Sequence, residues 1–260
     1  MTVGGRSFLN TTYIMAIINL TPDSFFADRR ATCDDVLFRV EKAVKEGAAI
    51  IDIGAQSTRP NYKEIPAERE IARFEKPLYE IKRSFDIPLS VDTYFEESAK
   101  AALELGADMI NDIWGLSRTE GMAKILAERK ASVCIMHNSH EPVRGDVFPP
   151  VLSFLRKAVK KAEAAGIEKD RICLDGGIGF AKSREGSLQL LDGYERLNAL
   201  GYPLLLGASR KSLFGGNAED RLAPTLESTR QACKKGVLFV RVHDVKSNFE
   251  VIEQTYGSMN

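Results

Sequence analysis

The sequence has no long hydrophobic run and no excess of charge of either sign. Lysine plus arginine equals aspartate plus glutamate, at 36 residues each, so no overall field would attract nucleic acid or an acidic membrane. The apolar runs are much shorter than the roughly 20 residues that span a bilayer, and the first ten residues lack the apolar centre of a signal peptide. We therefore expect a cytoplasmic protein that binds neither nucleic acid nor a membrane.

Motifs for disulfides, covalent catalysis and metal clusters are missing as well. There is no C-x-x-C pair and no G-x-S-x-G elbow, which predicts reduced thiols and no protein nucleophile. GGIGFAK (176–182) matches neither the Walker nor the Rossmann pattern, so we interpret it as a plain turn. His137 and His140 are spaced loosely for a strand end, and no third nitrogen or sulfur ligand follows nearby, which disfavours a metal role. The cysteines are Cys33, Cys134, Cys173 and Cys233.

The sequence does contain eight short apolar runs at regular intervals. They are rich in Ile, Val and Leu and are often flanked by Gly or Pro, which is typical of buried parallel strands. The runs are YIMAIINL (13–20), AAIIDIGA (48–55), PLSVDT (88–93), DMINDI (108–113), ASVCIMH (131–137), RICLDG (171–176), PLLLGAS (203–209) and LFVRVHD (238–244).

Amphipathic stretches between these runs predict helices, several of which end in Gly. The helical patterns cover 34–47, 68–84, 95–106, 151–166 and 229–236. Alternating strands and helices without a linker predict one closed (β/α)8 TIM barrel, a single domain over residues 1–260, because such a barrel takes about 250 residues. An open doubly wound sheet is the alternative, and the missing Gly-rich dinucleotide turn disfavours it.

Polar residues follow nearly every predicted strand. In a (β/α)8 barrel the functional groups lie on the loops at the carboxyl ends of the strands, so these side chains should meet at one rim. They include Asn19, Arg59, Asp92, Asn111, Asp112, His137, Asp175, Ser209, Lys211, Arg241 and His243.

The alternation of side chains along a strand defines a first group of these residues. Arg241 and His243 share one face of the eighth strand, which lies beside the first strand in a closed barrel. We therefore expect both side chains to approach Asn19. Arginine and histidine donors beside an amide oxygen suit a phosphate and its metal ion. A surface salt bridge between Arg241 and Asp244 is the alternative.

Asp92, Asn111 and Asp175, from the third, fourth and sixth strands, form a second group. Carboxylates at the mouth of an apolar barrel are costly to bury unless they meet donors, and a ring with paired N–H groups, such as an aminopyrimidinone, would supply them. Lys211 could reach an oxygen or ring nitrogen of the same ligand. The alternative is that the carboxylates cap loops or helices. Asp52 fits either interpretation and is taken as supporting structure.

Taken in order, these strand ends resemble the dihydropteroate synthase family of pterin-binding barrels. The match runs through almost the whole chain, and the combination of motifs is specific where no single motif would be. The motifs are NLTPDSF (19–25), STRP (57–60), SVDT (90–93), ND (111–112), IMH (135–137), LDGGIGF (174–180), GASRKS (207–212) and RVHDV (241–245).

The resemblance implies an enzyme of folate biosynthesis, a sulfonamide target that is usually a homodimer. Its substrates would be p-aminobenzoate and 6-hydroxymethyl-7,8-dihydropterin diphosphate, and its products 7,8-dihydropteroate and pyrophosphate. Mg²⁺ would be the cofactor. The chemistry is a substitution at a methylene carbon, which needs orientation, charge stabilisation and exclusion of water but no protein nucleophile.

The resemblance also implies a role for particular residues. The pterin would be held by Asp92, Asn111, Met136, Asp175 and Lys211. The diphosphate would be held by Asn19, Arg59, Arg241 and His243, with Asn19 as the metal ligand. Thr58, Pro60, Phe180 and Ser212 would frame p-aminobenzoate. The residues expected to act in catalysis are Asn19, Lys211, Arg241 and His243.

Some loops depart from the family pattern. Residues 26–30 read FADRR where Ser-Asp-Gly-Gly is usual, Gln56 replaces Glu, Asn61 and Gly176 replace Gly and Pro, and Ala181 replaces Gly. These changes motivate an alternative, a pterin-binding paralogue that has lost catalysis. A further alternative is a methyltetrahydrofolate:corrinoid methyltransferase, which needs no diphosphate site, so Arg241, His243 and SRKS argue against it.

Overall fold

Eight parallel strands form one sheet in a computed structural model that describes residues 1–20, 33–56, 64–217 and 219–258. Each strand lies within one of the eight predicted apolar runs. From β1 to β8 they are Tyr13–Asn19, Ala48–Gly54, Leu89–Asp92, Met109–Asp112, Ser132–Met136, Ile172–Asp175, Leu205–Leu206 and Phe239–Val242.

The sheet closes on itself. Strands that follow one another pair from β1 to β6 and from β7 to β8, and β8 pairs with β1, with Arg241 opposite Met15. Between β6 and β7, Leu174 bridges to Leu204, and the Leu174 N–H donates to the carbonyl of Pro203 at 2.9 Å. The prediction of a closed (β/α)8 barrel is therefore confirmed, and the open doubly wound sheet is wrong.

Eight α-helices surround the barrel within the described ranges. From α1 to α8 they are Cys33–Lys45, Ala67–Ser84, Glu96–Glu104, Met122–Glu128, Phe148–Ala164, Arg184–Asp192, Leu222–Lys234 and Val245–Gly257. Three 3₁₀ turns cover Lys169–Arg171, Tyr194–Leu200 and Ser212–Phe214. The five predicted helices are present. Three further helices, α4, α6 and α8, were not predicted.

The chain enters several strands through glycines with left-handed backbone angles. Gly47, Gly106 and Gly166 follow α1, α3 and α5 with φ of 101°, 98° and 98°. A residue with a Cβ atom is strained in this region, so glycine ends the helix and turns the chain towards the next strand. These three positions are the ones where the sequence pattern predicted a helix stop.

The end of the barrel where the strands begin is closed by apolar side chains. A short hairpin, Thr2–Val3 and Arg6–Ser7, lies across it, and its Val3 and Phe8 are buried against Phe239. The inward side chains below it are Met15, Ile50, Met109, Cys134, Cys173 and Leu205. Polar groups are thereby left to the opposite end. All four cysteines are free thiols, and no helix in the described part of the chain is long and apolar enough to cross a membrane.

Candidate active site

The inward-facing positions near the carboxyl ends of the strands carry ionisable side chains. Asp52 and Arg241 each lie two residues after a member of the apolar cluster at the closed end of the barrel, Ile50 and Phe239 respectively. The period of two along a strand keeps these side chains on the same inner face, one layer higher. The same step leads from Met109 to Asn111, from Cys173 to Asp175 and, on β3, from Ser90 to Asp92.

Arg241 is the centre of a buried ion-pair cluster. Its Nε donates to Asp52 Oδ2 at 2.6 Å, and its Nη2 donates to Asp92 Oδ2 at 2.8 Å. Asn111 Nδ2 reaches the same Asp52 oxygen at 3.4 Å. Asp52 is fully buried and Asp92 nearly so, whereas a fifth of the Arg241 side chain is exposed. Three strands, β2, β3 and β8, therefore converge on one guanidinium.

The cluster holds two carboxylates against one guanidinium. Burial raises the pKa of Asp92 to about 7; Arg241 opposes this shift, and the carboxylates of Asp52 and Glu70 add to it. The Oδ1 atoms of Asp52 and Asp92 are buried without a hydrogen-bond partner among the described residues. A buried acceptor without a partner is costly, so Asp92 is a favourable acceptor for a ligand N–H group.

Asp175 and Lys211 lie on the other side of the mouth. Asp175 Oδ1 accepts from the hydroxyl of Tyr194 at 3.0 Å and from the N–H of Gly177 at 2.8 Å, so this carboxylate does cap the loop that follows it. Lys211 Nζ donates to the carbonyl of Ile178 and lies 4.6 Å from the ring centre of Phe180. Burial lowers the pKa of Lys211 to about 8, against the opposing effect of Asp175.

An apolar wall stands beside these charges. Met136 is buried at the end of β5 together with Tyr94 and Ile113, and the partly buried Trp114 and Phe180 pack at its edge. A flat ring with polar edges would find apolar contact here and hydrogen-bonding groups on the neighbouring strands, which is typical of small-molecule sites.

Arg241 does not form the group that we expected from its strand. Its side chain points into the barrel, so its guanidinium contacts Asp52 and also Asp92, which belongs to the second predicted group. The alternative salt bridge to Asp244 is wrong, since Asp244 pairs with Arg210 at 2.6 Å. Arg241, from the first predicted group, thus contacts Asp92 of the second group.

The other predicted residues lie around the mouth. Asn19 ends β1 and is half-buried, and a Cβ atom on Gly54 would lie 3.0 Å from its Oδ1 atom. His243 is exposed, with Nδ1 3.0 Å from the hydroxyl of Ser209, and Ser212 is exposed at the start of a 3₁₀ turn. Thr58, Arg59, Pro60 and Asn61 and the segment 26–30 lie outside the described residues.

The Asn19 side chain fits a magnesium ion better than any cluster elsewhere. Mg²⁺ is usually bound through one or two protein oxygens, with substrate phosphate and water completing its shell, and the Asn19 amide oxygen is a ligand of that type. That oxygen lies close to Gly54, where a residue with a Cβ atom would crowd it. Over the described ranges, no group of three or more His, Cys, Asp or Glu side chains is arranged to hold a metal ion.

Two functional features were missed in the sequence. Asp52, which we expected to be supporting structure, accepts hydrogen bonds from both Arg241 and Asn111. The sequence feature that could have indicated this role is a carboxylate at an inward position of a strand rich in Ile. Lys182 lies in the stretch that we interpreted as a plain turn, and its Nζ is 2.9 Å from His137 Nδ1. No local pattern pairs these two residues, because they follow different strands.

A cleft of about 550 Å³ also lies beside the mouth, between Trp114, His140 and α5. It contains none of the residues predicted to bind pterin, and Arg118 in its wall is paired with Glu64 at 2.7 Å. We therefore place the site in the centre of the barrel, where the unpaired buried acceptors are.

Comparison with known proteins agrees with this geometry. The pterin binding enzyme family matches residues 15–243. A dihydropteroate synthase of Clostridium beijerinckii is 39% identical over 267 residues, which cover 98% of each chain.

Solved structures extend this comparison to the fold. A dihydropteroate synthase of Clostridium difficile, solved in the presence of pteroic acid, has a TM-score of 0.92 and 36% identity, covering 97% of this chain and 98% of that chain. One of Xanthomonas albilineans with 4-aminobenzoic acid has a TM-score of 0.92 and 34% identity, with 96% and 94% covered.

A (β/α)8 barrel with an ionisable cluster at the carboxyl ends of its strands defines a barrel enzyme that acts on a small polar ring. The match to the relative extends over nearly the whole chain, and the family match includes every barrel strand except the first two residues of β1. The chain belongs to the pterin-binding enzyme family, and its relatives within that family are dihydropteroate synthases.

Proposed function

We propose that this protein condenses p-aminobenzoate with 6-hydroxymethyl-7,8-dihydropterin diphosphate to give 7,8-dihydropteroate and pyrophosphate. The observation that carries the proposal is the Asp52–Arg241–Asp92 cluster, which puts a guanidinium between the predicted pterin and diphosphate positions. Relatives that share the whole barrel are dihydropteroate synthases, and two have been solved with pteroic acid or 4-aminobenzoic acid.

Pterin binding uses the inner face of the barrel. Asp92 and Asp175 accept from the ring N–H and amino groups, Asn111 supplies an amide between them, and Lys211 donates to a ring oxygen or nitrogen. Met136 packs against the ring. Asp92 is the side chain whose unpaired Oδ1 atom supports this arrangement most directly.

The diphosphate is bound by Arg241, His243 and Asn19 at the junction of β8 and β1. Arg241 keeps its Nε bond to the fully buried Asp52, while its Nη2 atom lies at the open side, against Asp92. A substrate that pairs with Asp92 frees that end of the guanidinium for a phosphate oxygen. Asn19 would hold Mg²⁺, and the bound ion would neutralise charge on the phosphate groups.

The reaction breaks the bond between the methylene carbon and the diphosphate oxygen. Positive charge that develops on the carbon is spread over the electron-rich pterin, and the pyrophosphate leaves with the bonding electron pair. The p-aminobenzoate nitrogen then bonds to the carbon and loses its proton. The protein orients both partners and stabilises the departing anion, which is where positioning and fixed charges accelerate a reaction most.

The p-aminobenzoate site lies towards Phe180 and Ser212; Thr58 and Pro60, which the resemblance to the family also assigns to it, lie outside the described residues. Lys211 lies over the Phe180 ring, so the edge of the pterin site and the start of this second site share a residue. A homodimer in the cytoplasm completes the proposal and is supported by the resemblance of the chain to its family.

Turnover tests the proposed function. The protein is incubated with Mg²⁺, the pterin diphosphate and p-aminobenzoate, and dihydropteroate is followed by chromatography while released pyrophosphate is measured separately. We expect the two products in equal amounts and none when p-aminobenzoate is omitted. Tight pterin binding without product would instead identify a binding paralogue, and methyl transfer to cobalamin would identify the methyltransferase.

A matched pair of variants ties the activity to the cluster. Asp92→Asn should abolish most turnover, whereas Asp86→Asn should not change it. Asp86 also pairs with an arginine, Arg6, but at the exposed amino-terminal end of the barrel. Equal activity of the two variants would contradict the placement of the site.

A further inference from the structure

The loop after β6, residues 176–182, directs its backbone carbonyls at two lysine side chains. Lys182 Nζ donates to the carbonyls of Gly177 and Phe180, both at 3.0 Å, and Lys211 Nζ donates to the carbonyl of Ile178. This is the reverse of a phosphate-binding loop, in which backbone N–H groups point at an anion. The loop is therefore organised around cations.

His137 is the third partner of Lys182, at 2.9 Å from Nδ1. Burial lowers the pKa of Lys182 to about 7. When Lys182 is an ammonium group it only donates, so Nδ1 accepts and the ring proton is then assigned to Nε2. Burial and, as the smaller effect, the charge of Lys182 together lower the pKa of His137 to about 3, which keeps the ring neutral. His137 follows β5, so Lys182 joins the loops after β5 and β6.

The two loops are packed without spare room. Gly177 has φ of 72°, and a Cβ atom on it would lie only 2.0 Å from the carbonyl oxygen of His137. The N–H of Val143, in the loop after β5, donates to the carbonyl of Ala181 at 2.7 Å. Such tight packing allows few alternative positions, so a bond that fixes one part of the loop fixes its neighbours as well.

We infer that Lys182 is a positioning residue that holds Phe180 against Lys211 and thereby sets the p-aminobenzoate side of the site. Its bond to the Phe180 carbonyl fixes the residue whose ring lies 4.6 Å from Lys211 Nζ. Neither the family motifs quoted above nor the turn pattern assigns such a role to a lysine here. The inference rests on the proposed function, because it concerns the second substrate of that reaction.

Lys182→Met tests this role, because methionine keeps the length of the side chain and loses its three hydrogen bonds. The loss of hydrogen bonds to a charged group costs enough free energy to predict a rise of about tenfold or more in the KM for p-aminobenzoate. The Kd of 6-hydroxymethylpterin should change by less than about threefold, because Asp175 keeps its bond to Tyr194. Lys160→Met, on the exposed face of α5, is the control and should behave as wild type.

Variants of His137 test the other end of the contact. His137→Gln keeps an acceptor for the ammonium and should retain a KM close to wild type, whereas His137→Phe lacks one and should raise the KM in the same direction as Lys182→Met. A KM for p-aminobenzoate within twofold of wild type in Lys182→Met would overturn the inference. So would equal losses for both substrates together with a lowered Tm, since that pattern marks a general structural role.

Hydrogen exchange gives a second measurement that does not depend on turnover. The amides of residues 177–181 should exchange faster in Lys182→Met than in wild type, with Lys160→Met unchanged. Unchanged exchange in this loop would overturn the inference. The two proposals can fail separately. If wild type shows no turnover while the loop amides still exchange faster in Lys182→Met, the proposed function is contradicted and the positioning of the loop by Lys182 is supported.

Discussion

At the scale of the residue, the central feature is that Asp52 and Asp92 share the guanidinium of Arg241. Asp52 is closed off from solvent and holds Nε, while Asp92 lies at the mouth and holds Nη2. A buried ion pair does not by itself stabilise a protein, since desolvation offsets much of the attraction. We explain this ion pair by function, because it directs the Arg241 side chain towards the position from which the pyrophosphate leaves.

Asp92 should control the pH dependence of pterin binding. Its pKa is raised to about 7 by burial, so Asp92 becomes a charged and therefore stronger acceptor only as the pH rises through that value. We expect the affinity for 6-hydroxymethylpterin to increase between pH 6 and pH 8. Asp92→Asn should weaken binding by about 10- to 100-fold, the effect of losing a charged hydrogen bond, and should flatten this dependence. Calorimetry over this range measures both effects, and Asp86→Asn should match wild type.

His137 should make stability depend on pH in the same direction, so that stability also falls as the pH falls. Its folded pKa of about 3 lies below its unfolded value of 6.5, so below pH 6.5 the unfolded chain takes up a proton that the folded chain does not. The free energy of unfolding of wild type should therefore fall relative to His137→Gln, by up to about 1.4 kcal/mol per pH unit.

Urea unfolding at pH 7.5 and pH 5.0 measures this change in the difference between the two proteins. The exposed His140 is the matched control, and His140→Gln should keep a constant difference from wild type. A constant difference for His137→Gln as well would mean that His137 is protonated in the folded protein.

Gln56 shows how a departure from the family pattern is accommodated. Its Nε2 donates to the hydroxyl of Tyr94 at 2.6 Å, and its Oε1 accepts from the N–H of Ile65 at 2.7 Å. A carboxylate accepts hydrogen bonds but cannot donate one, so only an amide makes both contacts in this way. The substitution therefore belongs to the anchoring of the second loop rather than to the ligand-binding cluster.

At the scale of the element, the strands were predictable and several helices were not. A buried strand shows as a short apolar run, and all eight runs contain one. Helix α4 has only seven residues, too few turns for a clear amphipathic period. The hairpin at the start of the chain has two residues in each strand, so alternation could not identify it.

That hairpin should contribute strongly to stability, because it closes one end of the barrel. The Phe8 ring is buried and lies edge-on to Tyr13 at 4.9 Å and to Phe239 at 5.2 Å. Phe8→Ala should lower the free energy of unfolding by about 3–5 kcal/mol, the usual cost of emptying such a site. The neighbouring Leu9 is exposed, so Leu9→Ala should change it by less than about 0.5 kcal/mol.

Pterin binding is the second measurement on Phe8→Ala. The hairpin lies at the opposite end of the barrel from the site, so the Kd of 6-hydroxymethylpterin should stay within about twofold of wild type at temperatures where the variant is folded. A large loss of pterin affinity would mean that the two ends of the barrel are coupled.

At the scale of the whole molecule, barrel closure explains both what the sequence predicted and what it did not. Closure makes β8 a neighbour of β1, and this pairing follows from counting strands. Closure also places β8 opposite β2 and β3 across the interior of the barrel. Contacts between these strands depend on the direction and length of the arginine side chain, which the strand order does not give. For this reason the strand ends that carry the polar side chains were predictable, while the contacts of Arg241 with Asp52 and Asp92 were not.

The most direct test of the account compares one variant with two ligands. Affinities of Arg241→Ala for the pterin diphosphate and for the free 6-hydroxymethylpterin are measured by calorimetry, with Arg210→Ala, which removes a salt-bridged arginine of the same rim, as the control. The account predicts that Arg241→Ala loses at least about tenfold more affinity for the diphosphate than for the alcohol, the effect of one charged contact to phosphate. An equal loss for the two ligands would show that Arg241 only supports the pocket and does not hold the departing anion.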